Sequence, residues 1–183
     1  MTDLGELVTD QPDLTARSRK GAWLQMRRLV SESLAAAVES QPFGSLHATL
    51  VGGDERLARA AEADCAVAVG YAATVADVPP RSSEHVAIVL LPQVAAAERV
   101  ELLRAAHRSV RPAGVLVIVA TVVVVPGEHR SLIPSMRQLV EELNDASGLA
   151  VHVDELRSVR WNEEPYVRGV ILSATALSLG DVA

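Results

Sequence analysis

The sequence predicts an α/β fold: a three-layer sandwich on a mostly parallel sheet, with an antiparallel hairpin at its C-terminal end. Apolar runs of strand length alternate with amphipathic helical segments, which is the pattern of βαβ crossovers. Residues 86–91 and 115–125 are continuous apolar runs, typical of strands covered on both faces. Two consecutive strand patterns, 149–159 and 167–176, end the chain, and a short turn joins such strands in antiparallel order.

The first elements follow from local periodicity and chain breakers. Residues 1–17 are polar without a clear period, so we expect a loosely ordered tail and a single domain over 18–183. From Trp23 to Val38, apolar residues recur at three- and four-residue spacing, which predicts a helix that ends near Gln41. Three further elements are expected before the proline-containing loop 71–84: strand 46–51, helix 54–63 and strand 65–69.

The helices of the second half have clear stop signals. A helix predicted over 95–110 runs into the sequence Arg-Pro-Ala-Gly at 111–114, where proline and glycine stand in stop positions. A helix predicted over 131–144 is followed by Gly148. Together with the apolar runs between them, these helices complete the expected crossovers.

Composition excludes several classes of protein. A formal charge of −6 repels phosphate backbones, so we expect no nucleic-acid partner. Cys65 is the only cysteine, which excludes an intrachain disulfide, and the five histidines lack metal-ligand spacing. The apolar run 115–125 is too short to span a bilayer, and the acidic N-terminus is not a signal peptide. We therefore expect a soluble cytoplasmic protein without a membrane or metal partner.

Three motifs of the second half occur together in a known family. Residues 108–118 (RSVRPAGVLVI) match the pattern R-x-L-x-P-G-G-x-L-x-I, with Ala113 in place of one glycine. Residues 77–91 follow a loop-and-strand pattern in which His85 stands at a usual aspartate, and 164–170 look like the start of a last strand. The chain from 77 to 176 thus resembles a class I S-adenosylmethionine (SAM)-dependent methyltransferase. The resemblance implies a methyltransferase-like Rossmann fold.

The resemblance also implies where a cofactor would bind. In this family the first strand ends with an acid and a turn of spaced glycines, and an acid after the next strand binds the ribose. Residues 50–60 read LVGGDERLARA, with Leu50 at the acid and two adjacent glycines. In a second alignment, Asp54 and the residues after it follow the family's second strand, and the first strand is absent. Under either alignment one βα unit is missing or shrunken.

Five residues are candidates for a site. Gly52, Gly53 and Asp54 form a turn that can hold a ribose or an anion at a helix N-terminus, or an ordinary turn whose acid caps the helix. The resemblance places Asp77 near the adenine of a cofactor; the alternative is a solvated loop carboxylate. His129 follows the longest apolar strand, where α/β sheets bind ligands, and is a candidate general base or substrate contact, or a solvated loop residue.

These observations predict a methyltransferase-like domain with a degenerate cofactor site, acting as a non-catalytic accessory, regulatory or scaffold subunit. The helix containing Trp23 resembles the family's N-terminal lid, and its apolar stripe fits either the protein's own core or a homo- or hetero-dimer interface. The alternative function is an active SAM-dependent methyltransferase of a small molecule, with Gly52 and Gly53 at the methionine end and Asp77 near the adenine. A third hypothesis is a different reaction on a small apolar ligand in the same pocket.

Overall fold

The structure, a computed structural model, describes residues 16–41, 46–81, 83–91, 94–124, 134–148, 150–161 and 166–177. Its elements are α1 (Ala16–Glu39), β1 (His47–Val51), α2 (Glu55–Cys65), β2 (Ala68–Ala72), a 3₁₀ turn (Val75–Asp77), β3 (Glu84–Leu90), α3 (Ala96–Ser109), β4 (Val110–Val124), α4 (Met136–Ser147), β5 (Val151–Trp161) and β6 (Tyr166–Ala176). Within these ranges, no helix is long and apolar enough to cross a membrane.

The described strands form one sheet in the order β2-β1-β3-β4-β6-β5. The first four strands are mutually parallel, and β6 pairs antiparallel with both β4 and β5. The predicted α/β class, mostly parallel sheet and C-terminal antiparallel hairpin are therefore confirmed. The chain moves outward from β1 to β2 and then returns to the other side of β1 for β3. The strand order thus reverses between β1 and β3, which is where open α/β sheets bind ligands.

Helices cover both faces of the sheet and make the outer layers of the sandwich. Side chains of α1 and α2, such as Leu29 and Leu57, pack on one face, and side chains of α3 and α4 pack on the other. Strand β3 shows why its sequence is continuously apolar: Ile88 and Leu90 lie under α1 and α2, whereas Val89 lies under α3 and α4. Both faces of the central strands are therefore core.

Short-range signals explain where several elements begin and end. Ser135 caps α4 by accepting a hydrogen bond from the backbone N–H of Gln138 at 3.2 Å, and Gly148 ends that helix at φ +63°. The sequence Arg-Pro-Ala-Gly, expected between a helix and a strand, lies inside β4, which begins at Val110. Ala113 adopts φ +62° there, and the pairing of β3 with β4 shifts register nearby. The predicted stop is an irregularity within the strand.

The first half differs from expectation at Cys65. The predicted strand 65–69 is shifted, because α2 continues to Cys65 and β2 occupies Ala68–Ala72. The Cys65 thiol donates to the carbonyl of Ser31 on α1 at 3.4 Å, and burial is the main reason its pKa is raised. Strong helix propensity through the alanines of α2 carries the helix past the expected boundary.

Candidate functional site

The Gly52–Gly53 turn lies at the point where the strand order reverses. It follows β1 directly, and the Gly52 N–H donates to the carbonyl of Ala72 at the end of β2 at 2.9 Å. Both glycines have positive φ, +80° and +74°, a region that side chains disfavour. This is the place of the first glycine turn in a doubly wound sheet, which favours the first of the two alignments. Because β2 lies at the edge of the sheet, the βα unit that is missing or shrunken under this alignment would lie beyond β2.

The turn is packed tightly against the end of β3. Gly52 and Gly53 are both buried. A Cβ on Gly52 would lie 2.8 Å from the Leu90 carbonyl oxygen, and a Cβ on Gly53 would overlap Cδ1 of Leu90. The Tyr71 hydroxyl donates to the Gly53 carbonyl at 2.9 Å. The absent side chains therefore make room for Leu90, a buried residue of the protein's own core.

Asp54 is the N-cap of α2. One carboxylate oxygen accepts from the Arg56 backbone N–H at 2.8 Å, and the other accepts from the Arg56 Nε at 2.7 Å. The side-chain hydrogen bond from Arg56 is the main cause that lowers the pKa of Asp54. Both oxygens are thus engaged within the helix start.

Asp77 closes the 3₁₀ turn that follows β2. Its Oδ2 accepts from the Thr74 backbone N–H at 2.9 Å and from the Thr74 hydroxyl at 2.7 Å. At the end of β2, where the resemblance expects a ribose-binding acid, residues 66–76 contain no aspartate or glutamate. Asp77, well past the end of β2, is the first carboxylate after that strand, and its exposed side chain is used in a local capping box.

The other candidates either pack in the core or lie outside the described residues. His129 lies outside the described residues. Helix α1 packs its apolar stripe on the protein's own sheet, and the Thr121 hydroxyl at the end of β4 donates to the Met26 sulfur at 3.3 Å. No group of three metal-ligating side chains occurs among the residues whose structure is described.

A contact between α1 and α2 escaped sequence reasoning. Arg27 pairs with Asp64 through its guanidinium, with Nε to Oδ2 at 3.0 Å, and the Ser31 hydroxyl donates to the same oxygen at 2.8 Å. The Arg27 hydrogen bond is the main reason that the pKa of Asp64 falls to about 2. The arginine and serine lie one turn apart on α1, but nothing local to them indicates a partner on α2.

Sequence reasoning also missed a cavity of about 340 Å³ between the start of α4 and the β5–β6 hairpin. Arg160 on β5 and Arg168 on β6 are directly paired in register and both line it, beside Pro134. Their equal distances from the hairpin turn were the available signal, because antiparallel pairing places such residues opposite one another. The strand ends had to be known before that signal was usable.

No family model and no curated protein matches the sequence. Solved structures do match the fold. Magnesium protoporphyrin IX methyltransferase from Synechocystis PCC 6803 with bound SAH has a TM-score of 0.57 at 11% identity, over 92% of this chain and 91% of that chain. The [4+2]-cyclase SpnF has a TM-score of 0.53 at 14% identity, over 90% and 85% of the two chains.

A third structure is a chain from a Haloferax volcanii complex that contains the Trm112 methyltransferase activator. Its TM-score is 0.54 at 14% identity, over 93% of this chain and 98% of that chain. Likeness at such low identity concerns the fold, and function has to be argued from the site. This chain has the fold of the class I S-adenosylmethionine-dependent methyltransferases.

Proposed function

We propose that this protein is a methyltransferase-fold subunit that does not carry SAM and acts by binding another protein. The observation that supports the proposal is the buried Gly52–Gly53 turn, with the Leu90 side chain against Gly53. In doubly wound folds, glycines in this turn let the backbone approach the cofactor. Here the same lack of side chains accommodates a leucine of the core.

The energetic consequence is large. Moving Leu90 out of the core to admit a cofactor costs about 1.5–3 kcal/mol. Loss of hydrogen bonds from a ribose to an acid after β2 costs about 1.5–3 kcal/mol more, since bonds to charged groups have that value. The sum of about 3–6 kcal/mol weakens binding roughly 10²- to 10⁴-fold relative to a working site. A site with a Kd of about 1 µM would become one with a Kd of about 0.1–10 mM.

The fold is compatible with a role in a complex. One of its structural neighbours comes from a complex with a methyltransferase activator. We extend that association to this chain as part of the proposal: it works as an accessory, regulatory or scaffold subunit in a cytoplasmic homo- or hetero-oligomer. Light scattering of the purified protein measures the homo-oligomer directly, because a single chain has a mass of 19.4 kDa.

A second candidate function is an active SAM-dependent methyltransferase. It is favoured by the position of the glycine pair at the reversal of strand order, with both residues left-handed. Methyl transfer needs mainly alignment of donor and acceptor, so it requires no particular acid or base. In this alternative, the turn moves away from Leu90 when the cofactor binds.

Calorimetric titration with SAM and with SAH separates the two functions. The proposal expects no binding with a Kd tighter than about 0.1 mM, with an authentic class I methyltransferase as the positive control. Micromolar binding to the wild type would refute it. If that binding is weakened in Asp77→Asn but not in Asp54→Asn, the active alternative with Asp77 at the adenine is supported, because Asp54 is engaged by Arg56.

A further inference from the structure

The charged residues that line the cavity between α4 and the β5–β6 hairpin are both basic within the described part of the chain. Its described lining contains two arginines, Arg160 and Arg168, and Ser158, with no acidic residue among them. The two arginines are directly opposite one another in the antiparallel pair. Like charges in that arrangement repel, which costs stability unless an anion lies between or beside them.

The arginines lie on the face of the sheet that α3 and α4 cover. Arg168 lies two residues before Val170, which packs in the core under α3 and α4, and alternate residues of a strand share a face. Pro134, immediately before the N-cap Ser135 of α4, also lines the cavity. The first turn of α4 contains no acid, so the positive end of its dipole adds to the arginine charge.

Two of the three acids of α4 are paired with arginines away from the cavity. Glu142 is buried in an ion pair with Arg99 of α3, and Glu141 accepts from Arg137 one helical turn away at 2.8 Å. Arg160 already has an interaction partner, so we count only its positive charge, and not its N–H donors, toward the cavity. Within the part of the chain that the structure describes, no hydrogen bond or ion pair involves the exposed Arg168 guanidinium. Among the described lining residues, the Arg168 guanidinium therefore has N–H donors available for a ligand.

We propose that this cavity binds an oxyanion, the phosphate or carboxylate group of a small metabolite, with Arg168 as the principal ligand. A guanidinium presents paired N–H donors that match a phosphate or carboxylate in a bidentate arrangement. The volume of about 340 Å³ lies at the lower end of small-molecule pockets. The site is separate from the Gly52–Gly53 turn and does not depend on whether SAM binds there.

Calorimetric titration at constant ionic strength tests the site, with pyrophosphate as the phosphate probe and citrate as the carboxylate probe. We expect saturable binding of at least one probe. Arg168→Gln should weaken it about tenfold or more, since it removes a charge-assisted bidentate contact. Arg157→Gln is the matched control: it removes the same charge from β5, where Arg157 pairs instead with Glu155 at 3.3 Å.

The outcomes are distinct. Binding of pyrophosphate alone, or of citrate alone, with the expected loss in Arg168→Gln supports the site and identifies its chemistry. No saturable heat with either probe up to about 10 mM overturns the proposal. Equal losses in Arg168→Gln and Arg157→Gln also overturn it, because the effect is then net charge. Matched far-UV circular dichroism and melting temperatures show that both variants are folded.

Discussion

The packing of Leu90 against Gly53 can be measured by a double-mutant cycle. In Gly53→Ala, a residue at φ +74° gains a Cβ, at a cost of about 1–2 kcal/mol for the left-handed backbone. The overlap of that Cβ with Leu90 Cδ1 adds about 1–3 kcal/mol of overpacking. We expect a total loss of about 2–5 kcal/mol in the free energy of unfolding. Leu90→Ala alone should cost about 2–5 kcal/mol, as buried leucines do.

The double variant separates strain from overlap. Removing the Leu90 side chain relieves the overlap but not the backbone strain, so the double variant should be more stable than additivity predicts by about 1–3 kcal/mol. Gly52→Ala is the matched control. It also lies in a left-handed turn, but its Cβ meets the backbone oxygen of Leu90 at 2.8 Å, which Leu90→Ala leaves in place. Its coupling to Leu90→Ala should stay within about 0.5 kcal/mol.

Urea denaturation followed by far-UV circular dichroism supplies the free energies, with sucrose added to every sample so that the weakest variant stays folded. Coupling of Gly53→Ala to Leu90→Ala that is no larger than that of Gly52→Ala would refute the reasoning. It would mean that the Leu90 side chain does not occupy the space beside the turn in solution. The observation that supports a closed cofactor crevice would then be lost.

Three further predictions concern stability. Glu142→Leu should lower the free energy of unfolding by about 3–5 kcal/mol in urea denaturation, because it leaves the buried Arg99 without its ion-pair partner. Arg99→Met combined with Glu142→Leu should recover most of that loss. Equal losses in the single and the double variant would contradict a buried pair. Ala113→Gly should raise the free energy of unfolding by about 0.5–1 kcal/mol because its φ is +62°; a loss would show that the alanine is unstrained. The pKa of Asp64 is lowered to about 2 in the folded protein, so its stabilisation is present above the ordinary value of 3.8 and is lost as the pH falls toward 2. Asp64→Asn should therefore flatten the acid limb of a stability-against-pH profile, and an unchanged limb would contradict the Arg27 pairing.

The sequence alone determined the class and order of the elements. The patterns that predict them depend only on neighbours within a few residues. They are the alternation of apolar strands with amphipathic helices, the continuous apolar run 86–91 and the two strand patterns that end the chain. The helix stop at Gly148 was readable for the same reason. The sequence was less informative about the residues at which elements begin and end. Cys65 lies in α2 rather than in a strand, because the helix propensity of the alanines outweighed the apolar run that follows them.

Only the tertiary structure decided which groups the described candidate residues contact. Leu90 meets Gly53 because β1 and β3 pair with Val51 opposite Val89, a register that no local pattern encodes. Arg160 meets Arg168 through the same kind of pairing across the hairpin. Short-range periodicity fixes which residues can form a strand, but the contacts between strands depend on how distant segments align once both faces of the sheet are buried. One such contact in this protein is that of Leu90 with Gly53, and whether the glycine turn is open or closed depends on it.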